Sequence, residues 1–488
     1  MIQIFCSMRL ARLIAELAKG NEKNVLSSAQ LAYENRCVAC EEANLSHLQI
    51  PVETETLANG LRVVVSPDHS APIATIGVYY QIGFRLEPRG RGGFAHLFEH
   101  MMFQGSEHAG KMEHIRLVNS SGGVLNGSTY YDLTNYYEVV PSNALERVLW
   151  LEADRMRALK VDDENLRNQR DVVKEEIRVR VLNQPYGGFP ELDMAPIAYR
   201  KWPNAHNYLG DFADLDAASL ADVRAFFNTY YAPNNAVLLM VGDVDPKQAF
   251  SLARRYFDDI SRQPLPPAAD VTELPQREER RGEVEEKFAQ IPALAIGYHA
   301  PERHDSDWCA TVILDGILHG GRAGRVYHHL VLEKQIAIDT GMSDPLGSAI
   351  DFNGPTLLTT TIFHKPEYSP DAAIAAFDEV IRDVRENPVS KDELRQVQVK
   401  LRADFYSMLE SGGGVPRFGL MHALACFALF DNDPHRINTI LGKLSAVTAA
   451  DVQAAAQKHL QRDNRAILIR KPVTQPVAQQ GIAEGVAQ

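Results

Sequence analysis

His96 and His100 stand four residues apart in the stretch HLFEH, with Glu99 immediately before the second histidine. Positions i and i+4 of a helix share a face, so two imidazoles at this spacing can bind one metal ion while the carboxylate projects beside it. Two histidines with an adjacent acid are the working parts of a zinc hydrolase, here in the reverse order of the commoner H-E-x-x-H motif. A catalytic zinc usually takes three protein ligands and leaves a fourth position for water. The third must come from elsewhere in the first half of the chain. Residues 169–176 (QRDVVKEE) form a charged, helix-compatible segment with apolar Val172, Val173 and Ile177, so a carboxylate on it could face the first helix across the core. His108, His114, His206, His328 and His329 have no partner at ligand spacing and read as surface or core residues.

The elements that must position these groups belong to a chain of 488 residues, too long for one core and suited to two or more domains. Its 45% apolar and 23% charged content is that of a soluble globular protein, and its net charge of −13 argues against nucleic acid as a partner. Five scattered cysteines make no disulfide framework, and Cys37 and Cys40 form a lone C-x-x-C. No run approaches the roughly 18 apolar residues of a membrane span. The first residues, broken by Arg12, Glu16 and Lys19, make a poor secretory signal, which favours the cytoplasm, with the periplasm as the alternative. Gly320, Gly321 and Gly324 follow no strand–phosphate-loop pattern, so a nucleotide site is not expected.

Residues 258–287 concentrate proline and charge and read as a linker between two copies of one unit. Leu215, Asp222, Val223 and Asn235 correspond at one constant offset to Leu444, Asp451, Val452 and Asn464, each set spanning a capped helix, a turn and an apolar strand. Residues 162–181 likewise parallel 390–409, with Leu166 opposite Leu394. The second copy lacks the histidine motif; its comparable helix carries Val312, Leu314, Asp315 and Leu318. Strand signals at 60–65, 74–80 and 357–362 alternate irregularly with helices. The expected fold is α+β: two homologous domains forming a clamshell, each a mostly antiparallel sheet covered by helices on one side. The expected boundaries are an N-terminal extension at 1–50, a metal-bearing domain at 51–257, the linker at 258–287, a sibling domain at 288–472 and a tail at 473–488.

HLFEH, then SGGVLNGSTYYDLTNYYEVVP, QRDVVKEE and NQPYGG in that order, and HGGRAGRVYHHLVLEKQIA in the second half, resemble the pitrilysin, insulin-degrading enzyme and mitochondrial processing peptidase family of inverted-motif zinc peptidases, the inverzincins. The resemblance covers roughly residues 54–472, and the two-domain length is most similar to the processing-peptidase and bacterial branch. It implies that His96 and His100 are zinc ligands and Glu99 the general base. It places the third ligand at Glu176, with Glu175 the competitor. Many processing peptidases carry a further glutamate seven residues before that ligand, where this chain has Gln169.

The resemblance also makes 122–129 an edge strand beside the zinc, able to bind an extended peptide by main-chain hydrogen bonds, with Asn126 orienting the scissile bond. In this family the second domain or a partner subunit supplies an arginine and a tyrosine to hold the substrate carbonyl. Arg417 is the candidate arginine here, but downstream stand Leu424 and Phe427 rather than a tyrosine. The expected activity is that of an endopeptidase with one zinc per chain, cleaving unfolded or presequence-like peptides with a metal-activated water. A homodimer, or a heterodimer with a related subunit that brings the missing hydroxyl, is expected. The rival readings are a non-catalytic core or assembly subunit and a peptide-binding, chaperone-like module.

Overall fold

A computed structural model describes residues 49–207, 209–266, 268–343, 350–411 and 414–473. The chain divides into two compact units, Met1–Ile50 and Pro51–Gln488, and nearly all of the described residues belong to the second. The expected N-terminal extension, with Cys37 and Cys40, and nearly all of the expected tail lie outside the described residues. Among the described residues no helix is long and apolar enough to cross a membrane.

Two mixed α+β layers repeat one topology. The first sheet runs β1 (Glu53–Thr56), β2 (Arg62–Pro67), β6 (Ala236–Gly242), β3 (Ile73–Tyr80), β5 (Thr134–Pro141), β4 (Val124–Thr129). The second runs β7 (Arg280–Glu286), β11 (Arg465–Pro472), β8 (Ala293–Ala300), β10 (Thr356–His364), β9 (Ala337–Ser343). Apart from β1, the orders match strand for strand. Among the described strands each sheet has one parallel pair, β2 with β6 and β7 with β11, at the same place.

The repeated residues show how the sequence writes this topology. Ser219 and Asp222 form a capping box at the helix Leu220–Tyr230, as Thr448 and Asp451 do at Ala449–His459. Asn235 then donates through Nδ2 to Tyr230 O and Gln81 O at 2.8 and 3.3 Å, and Asn464 to His459 O and His299 O at 2.8 and 3.0 Å. Each amide thus ties the end of its helix to the strand that pairs with the next one. The expected linker is shorter than 258–287. Ile260 is still in the first core, and Arg280–Glu286 is an edge strand whose outward positions alternate with half-buried ones. Charge on an edge strand blunts unwanted pairing, which is why this stretch resembles a linker in sequence.

Helices cover both faces of each sheet's centre, not one. Every residue of β6 is buried, and so are seven of the eight in β3. One face of the first sheet meets helices of the first half, in a core that includes Leu97, Phe98, Leu149, Phe226 and Phe257. The other meets the helix Phe418–Phe430 of the second half, with Tyr137 and Phe418 ring centroids 4.4 Å apart. Gly77 makes room for Met421, whose Sδ would lie 2.7 Å from any Cβ added there. The exchange is reciprocal. Met194, Ala195, Ala198 and Tyr199, in and just after the helix Glu191–Ala198 of the first half, pack on Ala295, Leu357, Ala466 and Leu468 of the second sheet. These two crossing helices correspond at the offset that sets Leu166 opposite Leu394.

Beneath the first sheet lies a closed charge cluster. Arg155 is paired with Glu152 and stands 3.5 Å from Glu138, while His114 Nε2 is 2.8 Å from Glu138. All four are buried. Burial drives the His114 ring down to about 3, so it is neutral and donates to Glu138. Burial also raises Glu152 to about 8, with Arg155 opposing and Glu138 reinforcing. One cation therefore balances one carboxylate, and the second carboxyl keeps its proton.

The folded state thus holds a proton on Glu152 that the unfolded chain releases near pH 4.5. The contribution of this group is greatest below that pH and falls as pH rises towards 8, by at most about 1.4 kcal/mol per pH unit, while the buried neutral His114 and His96 act in the opposite sense below pH 6.5. Glu152→Gln, which imitates the protonated acid, should flatten the slope in urea unfolding measured from pH 6.5 to 8, where the acid acts without them. An unchanged slope would refute the shared-proton arrangement.

Candidate active site

The motif helix, Phe94–Met101, starts after Gly93, whose φ of 88° suits glycine. The buried carboxylate of Glu87 accepts from the Gly93 and Ala95 amides at 2.8 and 2.6 Å, satisfying the first turn. His206, stacked on Trp202, lies 3.6 Å from Glu87 and holds it in place. Phe94, Leu97, Phe98 and Met101 are fully buried, Phe98 stacking on Phe226, Phe227 and Tyr231. With that face fixed, the polar residues of the helix project towards the helix Asp163–Ile177 and strand β4.

Asp163–Ile177 is capped by Asp162, which accepts from the Asn165 amide, and buries Leu166, Val173 and Ile177. Its last turn brings Glu176 Oε2 to 3.1 Å from His100 Nε2 and 3.9 Å from His96 Nε2. One donor atom from each of the three residues lies within 4.8 Å of the other two. The imidazole centroids are 5.1 Å apart. Arg180, in a π-helical turn at 178–182, pairs with the other Glu176 oxygen at 2.7 Å. Glu175 turns away to Arg178, with its side chain 65% exposed. Gln169 is buried two turns earlier on the same helix.

Burial lowers the His96 ring to about 4, the neighbouring His100 pressing the same way, and burial lowers His100 as well. Both rings are therefore neutral near pH 7 and carry the lone pair a metal requires. Two neutral imidazoles and one carboxylate facing a common point fit a divalent zinc.

Glu99 is raised by burial, an effect opposed by the Thr129 hydroxyl, which donates to its Oε2 at 2.8 Å. Strand period sets this contact: Leu125, Gly127 and Thr129 share the face of β4 turned to the motif helix, and a Cβ on Gly127 would sit 3.3 Å from Glu99 Cγ. Thr129, Glu87 and Arg180 were not singled out in sequence. Only Thr129 had a signal, its two-residue spacing from Gly127 in the recognised edge strand.

Two expected residues are not brought to the histidines. Asn126 points to the other face of β4, accepting from the Gly127 amide at 2.9 Å and standing opposite Tyr137. What β4 does offer there is its main chain, since among the described strands it pairs only with β5 and leaves one edge open. Arg417 is turned to a different task. Its guanidinium donates to Asp68 Oδ2 at 2.9 Å, Ile73 O at 3.1 Å and Ser70 Oγ at 3.1 Å. Ile73 begins β3 and lies five residues from Val78, the position in register with Tyr136 and through it Gly127, roughly 17 Å along the strand. Arg417 therefore joins the two halves far from Glu99. The histidines without ligand spacing are engaged elsewhere: His108 with Asp154, His114 with Glu138, and His328 and His329 with Glu333.

Residues 62–188 match the family model described as Insulinase (Peptidase family M16), and residues 217–401 that of the Peptidase M16 inactive domain. A curated relative, the zinc protease PqqE of Helicobacter pylori, is 27% identical over 74% of this chain and 81% of its own length. The probable mitochondrial-processing peptidase subunit beta of Arabidopsis thaliana is 26% identical over 46% of this chain and 42% of that one. Among solved structures, a protease from Helicobacter pylori superposes with a TM-score of 0.79 at 25% identity, covering 87% of this chain and all of that one.

Two variants separate the carboxylates of the ligand helix. Glu176→Ala should lose one equivalent of zinc by mass spectrometry of digested protein, whereas Glu175→Ala should keep it; the reverse result would move the donor by one residue. Arg417→Ala should lower unfolding stability by about 1–3 kcal/mol, the scale of lost charged hydrogen bonds, and leave KM for a peptide unchanged. A raised KM at unchanged stability would return Arg417 to the substrate.

Proposed function

Because the chain belongs to the insulinase family (peptidase family M16), we propose that it is a zinc-dependent endopeptidase acting on extended segments of unfolded polypeptide. The observation that carries this reading is the approach of Glu176 to two neutral imidazoles on the helix that also bears Glu99. His96, His100 and Glu176 would hold the metal. Zinc held there would supply Lewis-acid polarisation of the peptide carbonyl and a more acidic water.

The chain's own groups do the rest. Oε2 of Glu99, oriented by the Thr129 hydroxyl, takes the proton as water adds to the carbonyl and passes it to the leaving amine. Its burial, which lifts the carboxyl above its usual range, makes it the stronger base for the first of these steps. The free edge of β4 accepts the substrate main chain as an added strand, which gives affinity with little sequence preference. Exposed Val172 and Val179 flank Glu176 on its helix and in the turn that continues it, offering apolar contact to side chains that a folded protein would bury.

With Arg417 committed to Asp68 and no tyrosine following it, the groups that hold the substrate carbonyl come from a second chain. The active form is therefore a homodimer or a heterodimer with a related subunit, consistent with a relative that is itself named as a subunit.

Glu99→Gln should retain full zinc yet lose about a hundredfold to ten-thousandfold in cleavage of a quenched peptide library, measured with cell extract added to supply a partner. Zinc-replete wild type that cleaves nothing, alone or with extract, would overturn the enzymatic reading and favour a non-catalytic assembly subunit.

A further inference from the structure

A second set of metal donors stands where the halves meet. His422 and Cys426 share one face of the apolar helix Phe418–Phe430, four residues apart, and Asp351 faces both from the segment before β10. Asp351 Oδ1 lies 3.1 Å from His422 Nε2 and 4.0 Å from Cys426 Sγ, and the sulfur is 3.7 Å from the same Nε2. The three atoms form a closed triangle. Tetrahedral zinc with thiolate, imidazole and carboxylate ligands sets such edges at about 3.3 Å for N···O and about 3.5 Å for those involving sulfur. A hydrogen bond from His422 Nε2 to Asp351 accounts for the 3.1 Å edge, but not for a sulfur turned to both groups at 3.7 and 4.0 Å.

We propose that Asp351, His422 and Cys426 form a second divalent-metal site, for which zinc is the fitting ion. The mixed S, N, O donor set selects zinc over magnesium or calcium, which prefer oxygen alone. His422 Nδ1 is 3.3 Å from the Tyr79 hydroxyl, the outer hydrogen bond that leaves Nε2 free to coordinate.

This site would clamp the two halves beside the first one. Tyr130, next to Thr129, lies 5.0 Å from the His422 ring between centroids. Phe352 packs on Tyr131 at 4.7 Å, and the Asn353 amide donates to Asp132 at 2.8 Å. An ion bound there fixes the turn whose strand carries the hydroxyl partner of Glu99.

Cobalt distinguishes the two sites, because the donors at His96, His100 and Glu176 include no sulfur. Full-length protein should hold two zinc ions, falling to one in Cys426→Ser and to one in Glu176→Ala. The Co2+-loaded wild type should show a near-ultraviolet thiolate charge-transfer band, kept in Glu176→Ala and lost in Cys426→Ser. Asp351→Asn, which preserves size and the thiol, should weaken Co2+ binding at that band at least about tenfold, and it decides the matter if Cys426→Ser fails to fold. Wild type with a single zinc and no band overturns the proposal. So does a band that persists unchanged in Cys426→Ser or binds Co2+ as tightly in Asp351→Asn, since another cysteine would then be its source.

Discussion

Everything in this molecule depends on the need to bury both faces of its central strands. A β3 or β6 packed on one side only would expose a continuous apolar surface to water. The covering helix on the far side comes from the opposite half in each case: Phe418–Phe430 over the first sheet and Glu191–Ala198 over the second. Burying Leu424, Phe427 and Leu429 contributes about 1.5–3 kcal/mol each, so the bond between halves has the character of a core. The Arg417 contacts to the 68–73 loop add a polar lock at one end of that seam.

That rigidity serves the candidate site. The histidines rest on a helix whose apolar face is packed among aromatics, and Glu176 rests on a second helix docked against the first. Glu99 is held from strand β4 by Thr129. The donors thus come from two helices, and Glu99's partner from a strand, over one core, the arrangement that best fixes a reacting geometry. The sibling half repeats the scaffold without the donors. Its equivalent helix, Trp308–His319, spends its polar residues internally, with His319 bonded to Asp315 at 2.8 Å and to Thr360 at 2.7 Å.

Much of this could be read in the sequence, and where it could not there is a physical reason. His96, Glu99 and His100 are legible because helical period is a local rule, and the repeated Asp222–Asn235 and Asp451–Asn464 pairs because capping and strand-end bonds are local as well. The covering of the far faces was not legible. Phe418–Phe430 is apolar all round, which announces burial but not beneath which sheet. The contacts of Arg417 are hidden for a related reason: its partner Asp68 lies 349 residues away, and no local spacing points to it. The strand Arg280–Glu286 was hidden by charge, because half of its side chains face solvent from an edge.

The crossed helices also speak to history. They occupy equivalent places in the two repeats, and each finishes the fold of the other repeat rather than its own. A half-length forebear built on this plan would have left one sheet face bare as a monomer. It would have reached a closed state only by trading that helix with a second copy, as a domain-swapped homodimer. Joined in one chain, the copies make that trade internally, and the copy without the histidines still completes its neighbour.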